Sequence, residues 1–182
     1  MNVVELLQRH AAERPAQAAI IDSWRGRRRV TTFAQLEEAS VRMAGRLSRS
    51  DLQPGAPVLL FQPMSAELYI ALSAIFRLGL VAMFLDPGQG RDHMARCCAL
   101  HPPQALVSSP KAHLLRLVSP ALRRIPRKFV IGEGRLEMGD WRFLLRYPSP
   151  PAPPSKFKIQ NSKFDDPALL TFTSGSTGQP KA

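Results

Sequence analysis

The sequence predicts an α/β protein, mainly a parallel sheet with flanking helices, and three observations carry that expectation. Residues 58–61 and 80–85 are apolar runs without alternation, the pattern of strands covered on both faces. Between them, residues 67–78 repeat Leu68, Ala71, Leu72, Ile75 and Phe76 at helical spacing, so the unit reads strand, helix, strand, the crossover of a parallel sheet. A further crossover leads from the helix-like residues 92–100 into the apolar residues 105–107.

The remaining elements follow in chain order. Asn2 and Glu5 have capping-box spacing ahead of Val3, Val4, Leu6 and Leu7, and Pro15 closes that first helix. Residues 18–21 and 30–31 are short strand candidates joined through an arginine-rich turn. Thr32 and Gln35 form a second box, and Leu36, Met43 and Leu47 fall on one face of the helix it opens. Pro54 and Gly55 separate this helix from the first sheet strand. Residues 128–131 and 168–172 supply two more strand candidates. Residues 148–166 read as a Pro-rich surface connection, because Pro148, Pro150, Pro151, Pro153 and Pro154 preclude a regular helix or central strand.

Composition narrows the function classes. A chain of 182 residues with 45% hydrophobic content can bury a substantial core. The net charge of +11 raises a nucleic-acid-binding protein as the alternative reading. Arg25, Arg27, Arg28 and Arg29 crowd the turn, and Lys111, Arg116, Arg123, Arg124, Arg127 and Lys128 have no acid between them. No zinc-finger spacing or aromatic-rich basic strand accompanies these charges, so the preferred reading is a solvated basic surface with no nucleic acid expected. Cys97 and Cys98 are adjacent and have no third cysteine, which excludes a disulfide scaffold and leaves too few soft ligands for a metal. Glu5 and Arg9 interrupt the first turns, so no signal peptide is read. Arg77 and Gly79 break the longest apolar segment, so no membrane span is expected and the location reads as cytoplasmic.

Several polar groups invite a functional reading and have a structural one beside it. Asp86, Pro87 and Gly88 fall at the carboxyl end of a predicted strand, where open sheets place ligands, yet turn chemistry explains them alone. His93 and His113 are acid–base groups by type with no visible partner. Asp165 and Asp166 are adjacent, so a strand would point them to opposite faces, and they are expected to solvate the approach to the last strand.

That last strand runs into Thr173, Ser174, Gly175, Ser176, Thr177, Gly178, Gln179, Pro180 and Lys181. The composition is that of a phosphate cradle: glycines allow sharp turns that aim several N–H groups at one anion, the hydroxyls add donors, and lysine adds a mobile charge. The spacing is not that of the common nucleotide loop, which has lysine directly after its second glycine. A Ser/Gly-rich linker is the bland alternative, but it calls for neither the apolar run before the loop nor the Pro-Lys after it. A serine hydrolase using Ser174 or Ser176 lacks nucleophile-elbow spacing and a placed base.

Residues 173–181 resemble the first signature of the adenylate-forming (AMP-binding) enzyme superfamily, which includes the acyl-CoA synthetases; Ala182 stands where that pattern usually has glycine. Thr32, Phe33 and Leu36 match a segment of the same superfamily's N-terminal region. Residues 84–90 and 110–114 look like the branch of fatty acyl-CoA ligase-like proteins that includes the olefin-biosynthesis β-lactone synthetases. The resemblance implies that residues 1–182 are an incomplete N-terminal adenylation domain of the adenylate-forming fold, with the later signatures and the C-terminal domain absent. It also implies ATP-dependent activation of a fatty or 3-hydroxy fatty acid through an acyl adenylate. A CoA thioester or a β-lactone then follows in the full-length enzyme, so the partners are a small carboxylic acid and ATP, with CoA as a possible second substrate. By the same resemblance, Thr173, Ser174, Ser176 and Thr177 contact the β- and γ-phosphates, Gly175 and Gly178 allow close backbone approach, and Lys181 is the catalytic cation. Mg2+ bridges the phosphates in that scheme, and its protein ligand is not among the matched residues.

Overall fold

The computed structural model describes residues 3–24, 26–132, 167–174 and 180–181. Helix α1 (Val3–Glu13) is followed by strands β1 (Ala18–Trp24) and β2 (Arg27–Thr32), which form an antiparallel hairpin. Helix α2 (Phe33–Ser48) opens on the expected capping box: the Thr32 hydroxyl accepts from the Gln35 N–H, and the Gln35 side chain accepts from the Thr32 N–H at 3.0 Å. Leu36, Met43 and Leu47 are buried on its inner face, as their spacing predicts. The first box cannot be followed, because Asn2 lies outside the described residues; so do residues 148–166.

The sheet then unfolds as a series of crossovers. Strand β3 (Pro57–Phe61) leads through α3 (Ala66–Arg77) to β4 (Val81–Phe84), and a 3-10 turn with α4 (Gly90–Leu100) leads to β5 (Ala105–Ser108). Three short helices, α5 (Pro110–His113), α6 (Leu115–Val118) and α7 (Pro120–Arg124), precede β6 (Arg127–Val130). Strand β7 (Leu169–Thr171) completes a five-stranded parallel sheet in the order β6-β5-β3-β4-β7. Two glycines at positive φ, Gly55 and Gly79, make the turns that start β3 and β4, and the Gly55 N–H donates to the Gly79 carbonyl at 2.7 Å.

Alternation within the apolar strands builds a core on each face. Val58 and Leu60 of β3 join Ala82, Val107 and Phe129 under α2 and α3. Leu59 and Phe61 join Met83 and Leu106 under α4 and α7, where Met94, Cys97 and Leu122 meet them. A strand wetted on neither side has no polar positions, which is why the sequence shows an unbroken apolar run.

Polar ties lock the hairpin and helices onto this frame. Arg29 pairs with Asp22 and donates to Glu67 Oε1 at 2.6 Å, and its guanidinium lies 5.1 Å from the Trp24 ring centroid. Asp22 also accepts from the Ala66 N–H at 2.9 Å, capping the start of α3. Arg77, 1% exposed, donates to Glu37 at 2.6 Å and to the Ser40 hydroxyl at 3.3 Å, joining α3 to α2. The expectation of a solvated basic turn is therefore corrected at Arg29: its charge is spent inside the fold.

Candidate functional site

All five parallel strands point their carboxyl ends toward one edge of the sheet, the edge at which open α/β sheets bind ligands. Strand β7 lies on the outer side of β4, with Ala82 opposite Leu169 and Phe84 opposite Thr171. The Ala82 N–H donates to the Ala168 carbonyl at 2.9 Å, which sets the register before the strand begins. Leu170 and Phe172 pack against the core beneath α4, and the Phe172 ring meets His101 with centroids 5.9 Å apart. The apolar run ahead of the loop thus anchors it: alternate side chains of the strand are held by the helix layer.

Beyond Phe172 the chain forms a second, antiparallel ladder. Strand β8 (Thr173–Ser174) pairs with β9 (Pro180–Lys181), Thr173 opposite Lys181 and Ser174 opposite Pro180. The backbone of Thr173, Ser174 and Lys181 is therefore brought together, and β9 lies against α4. Gly175, Ser176, Thr177 and Gly178 lie outside the described residues.

The neighbouring carboxyl end of β4 carries the turn at residues 86–88. Asp86 Oδ1 accepts from the Gly88 N–H at 2.8 Å, so this carboxylate is engaged in shaping the turn, as turn chemistry alone foresees. His93 and His113 have partners the sequence did not show. His93 Nε2 lies 3.3 Å from Cys97 Sγ within α4, and His113 Nδ1 lies 3.2 Å from the Ser108 hydroxyl at the end of β5. All four groups are buried. Burial pushes the Cys97 thiol up, and burial with the neighbouring Cys97 pushes Cys98 up to about 11, so both thiols stay protonated and unreactive at neutral pH. Burial, aided by Arg116 and Lys128, pushes the His113 pKa down, so this ring is a neutral packing group.

Among the described residues no group of three or more His, Cys, Asp or Glu side chains could hold a metal ion. No helix among them is long and apolar enough to cross a membrane. A cavity of about 1180 Å3 opens between α2 and the edge strand β6, lined by Arg42, Arg46, Arg49 and Arg127 among others. The strand before the loop is the one expected at residues 168–172, and the β8–β9 ladder is what reading the sequence missed; a polar pair of two-residue strands leaves no hydrophobic period to find.

The family described as AMP-binding enzyme matches residues 7–182. The olefin β-lactone synthetase of Stenotrophomonas maltophilia (strain K279a) is 30% identical over 192 aligned positions, which take in 99% of this chain and 34% of that protein. The acetyl-coenzyme A synthetase of Bradyrhizobium diazoefficiens is 27% identical, over 96% of this chain and 29% of that protein. Among solved structures, the fatty acyl-adenylate ligase from L. pneumophila, in complex with acyl adenylate and pyrophosphate, superposes with a TM-score of 0.74 at 22% identity, covering 99% of this chain and 29% of that one. The o-succinylbenzoate coenzyme A synthetase from Bacillus subtilis, in complex with AMP, gives 0.71 at 22% identity, over 96% of this chain and 40% of that one. The chain thus spans about a third of the length of the β-lactone synthetase it matches.

Proposed function

From the premise that this chain belongs to the AMP-binding enzyme family, we propose that it contributes the phosphate-binding part of an enzyme that activates a carboxylic acid with ATP. In this reading residues 1–182 are part of the N-terminal adenylation domain. A carboxylate oxygen attacks the α-phosphorus, the bond to the bridging oxygen of pyrophosphate breaks, and its electron pair leaves with pyrophosphate. The products are an acyl adenylate and pyrophosphate.

The observation that carries the reading is the pairing of the two flanks of the hydroxyl- and glycine-rich segment as β8 and β9, directly after β7 of the parallel sheet. Negative charge grows on the departing pyrophosphate as the carboxylate attacks, and fixed donors offset it without reorganisation. Thr173, Ser174, Ser176 and Thr177 are assigned to the β- and γ-phosphate oxygens, Gly175 and Gly178 to close backbone approach, and Lys181 to neutralising the leaving group. Magnesium bound with the nucleotide would add positive charge at the phosphates, and the described residues include no group of three or more His, Cys, Asp or Glu side chains to hold it.

The acid is a fatty or 3-hydroxy fatty acid, a reading supported by likeness to a β-lactone synthetase and to the fold of a fatty acyl-adenylate ligase. In the second step either the thiol of CoA or the substrate's own 3-hydroxyl displaces AMP, giving a thioester or a β-lactone. Two cysteines left unpaired suit a cytoplasmic setting. The test is acid-dependent exchange of labelled pyrophosphate into ATP by the complete polypeptide that carries these residues. Lys181→Ala is expected to lower the exchange rate on the order of 100-fold with folding unchanged. Exchange unaffected by that substitution, or absent with every fatty and 3-hydroxy acid, would sink the assignment.

A further inference from the structure

Helices that pack on a sheet turn their apolar side chains inward, and α6 does so only in part. Leu115 packs into the core beneath α4, whereas Leu114, Leu117 and Val118 are 52%, 63% and 55% exposed. Spacings of three and four put these three on one side of the turn. Leu122 of the next helix is fully buried, so outward-facing leucines are not general in this region.

Charge indicates what the exposed side chains meet. No acidic residue occurs from residue 93 to residue 132, and Lys111, Arg116, Arg123 and Arg124 bracket the apolar group. Arg123 Nη2 donates to the Leu117 carbonyl at 3.1 Å, which holds a guanidinium beside the most exposed of the three. Val118 also lines a cavity of about 590 Å3 with Pro103, Pro120 and Ala121, where Arg91 and Arg124 outnumber the one carboxylate, Asp92. A second copy of the chain would set these cations against their like. Nucleic acid would use the cations, but it stacks on aromatic rings and gains little from aliphatic ones. An anionic lipid surface uses both, taking aliphatic side chains at the headgroup boundary and cations at the phosphates.

We propose that the α5–α7 face is a peripheral membrane-binding surface that seats Leu114, Leu117 and Val118 in an anionic bilayer, with Arg116, Arg123 and Arg124 on its headgroups. The proposal does not rest on the adenylation reading, because its test reads partition and not catalysis. Flotation of the 182-residue chain with vesicles separates binding from sedimenting aggregates. The chain is expected to float with vesicles of equal phosphatidylglycerol and phosphatidylcholine and to stay behind with phosphatidylcholine alone. Joint replacement Arg116→Glu, Arg123→Glu and Arg124→Glu is expected to lower partition on the order of 100-fold or more. Joint replacement Leu114→Ser, Leu117→Ser and Val118→Ser is expected to lower it at least about tenfold, with the unfolding midpoint unchanged. Equal flotation with both lipid mixtures would overturn the proposal. So would a serine variant that floats like the wild type, which would reduce the contact to electrostatic adsorption.

Discussion

Arg29 holds two carboxylates from different elements, Asp22 on β1 and Glu67 on α3, whose side chains are 9% and 5% exposed. Removing the guanidinium leaves two nearly buried charges without their partner, so Arg29→Ala is expected to cost about 3 kcal/mol in denaturant unfolding, while Arg49→Ala, exposed just past the end of α2, should change stability by under about 0.5 kcal/mol. The hydrogen bond from Arg29 holds the Asp22 carboxyl at about 2, against an ordinary 3.8. Protons therefore bind the unfolded chain first, and the stabilisation, on the order of 2 kcal/mol, is complete above 3.8 and lost as pH falls toward 2. His113 acts in a higher window. Its pKa is depressed by burial below the ordinary 6.5, so its stabilisation is complete above 6.5 and is lost as the pH falls below that value toward the folded one. The urea midpoint should therefore drop as the pH falls below 6.5, and the drop should shrink in His113→Asn; an identical slope in the variant would discard this account. None of this was legible in the sequence. Arg27, Arg28 and Arg29 are the same residue type in one short run, and what distinguishes Arg29 is Glu67, far along the chain and adjacent only after folding.

Strands β3, β4 and β5 were legible because burial on both faces removes alternation, and each candidate from β3 to β7 falls within a residue or two of its strand, although β6 begins with Arg127 and Lys128 and β7 exposes Leu169. The hairpin is longer than its apolar residues, since Asp22, Ser23 and Arg27 to Arg29 pair through backbone whatever their side chains. Helices α5, α6 and α7 were not legible, because helices this short cannot display a period; their local marks are Ser109–Pro110 and Ser119–Pro120, and Ser109 accepts from the Ala112 N–H at 3.2 Å. The relative weight of burial and capping can be measured. Leu59, fully buried in the middle strand of the sheet, should cost about 2–5 kcal/mol as Leu59→Ala, through lost transfer energy plus the cavity left behind. Thr32→Ala should cost only about 1 kcal/mol, since water replaces an exposed cap. Chemical denaturation of both variants checks the ranking, and a Thr32→Ala loss equal to that of Leu59→Ala would mean that α2 entry, not sheet burial, limits stability.

On the scale of the whole molecule, residue types and spacing carry the chemistry proposed for the loop, but the walls of a catalytic pocket are long-range objects and no local pattern encodes them. The described fold offers one wall: the carboxyl edge of a parallel sheet, with the flanks of the loop paired beside α4. An adenylating site must also surround adenine, ribose and the acyl group, and burying such a ligand takes several elements. The chain matches 34% of a β-lactone synthetase and 29% of a fatty acyl-adenylate ligase, so most of each of those proteins has no counterpart in these residues. Electrostatic catalysis depends on donors fixed before the reaction, and fixing them around a nucleotide takes more than one wall. The 182 residues by themselves are therefore expected to give no acid-dependent pyrophosphate release above a Lys181→Ala control, in assays with ATP, magnesium and a panel of fatty and 3-hydroxy acids. Turnover by the 182-residue chain that depends on acid and disappears in Lys181→Ala would show that the adenylation machinery is smaller than this account requires.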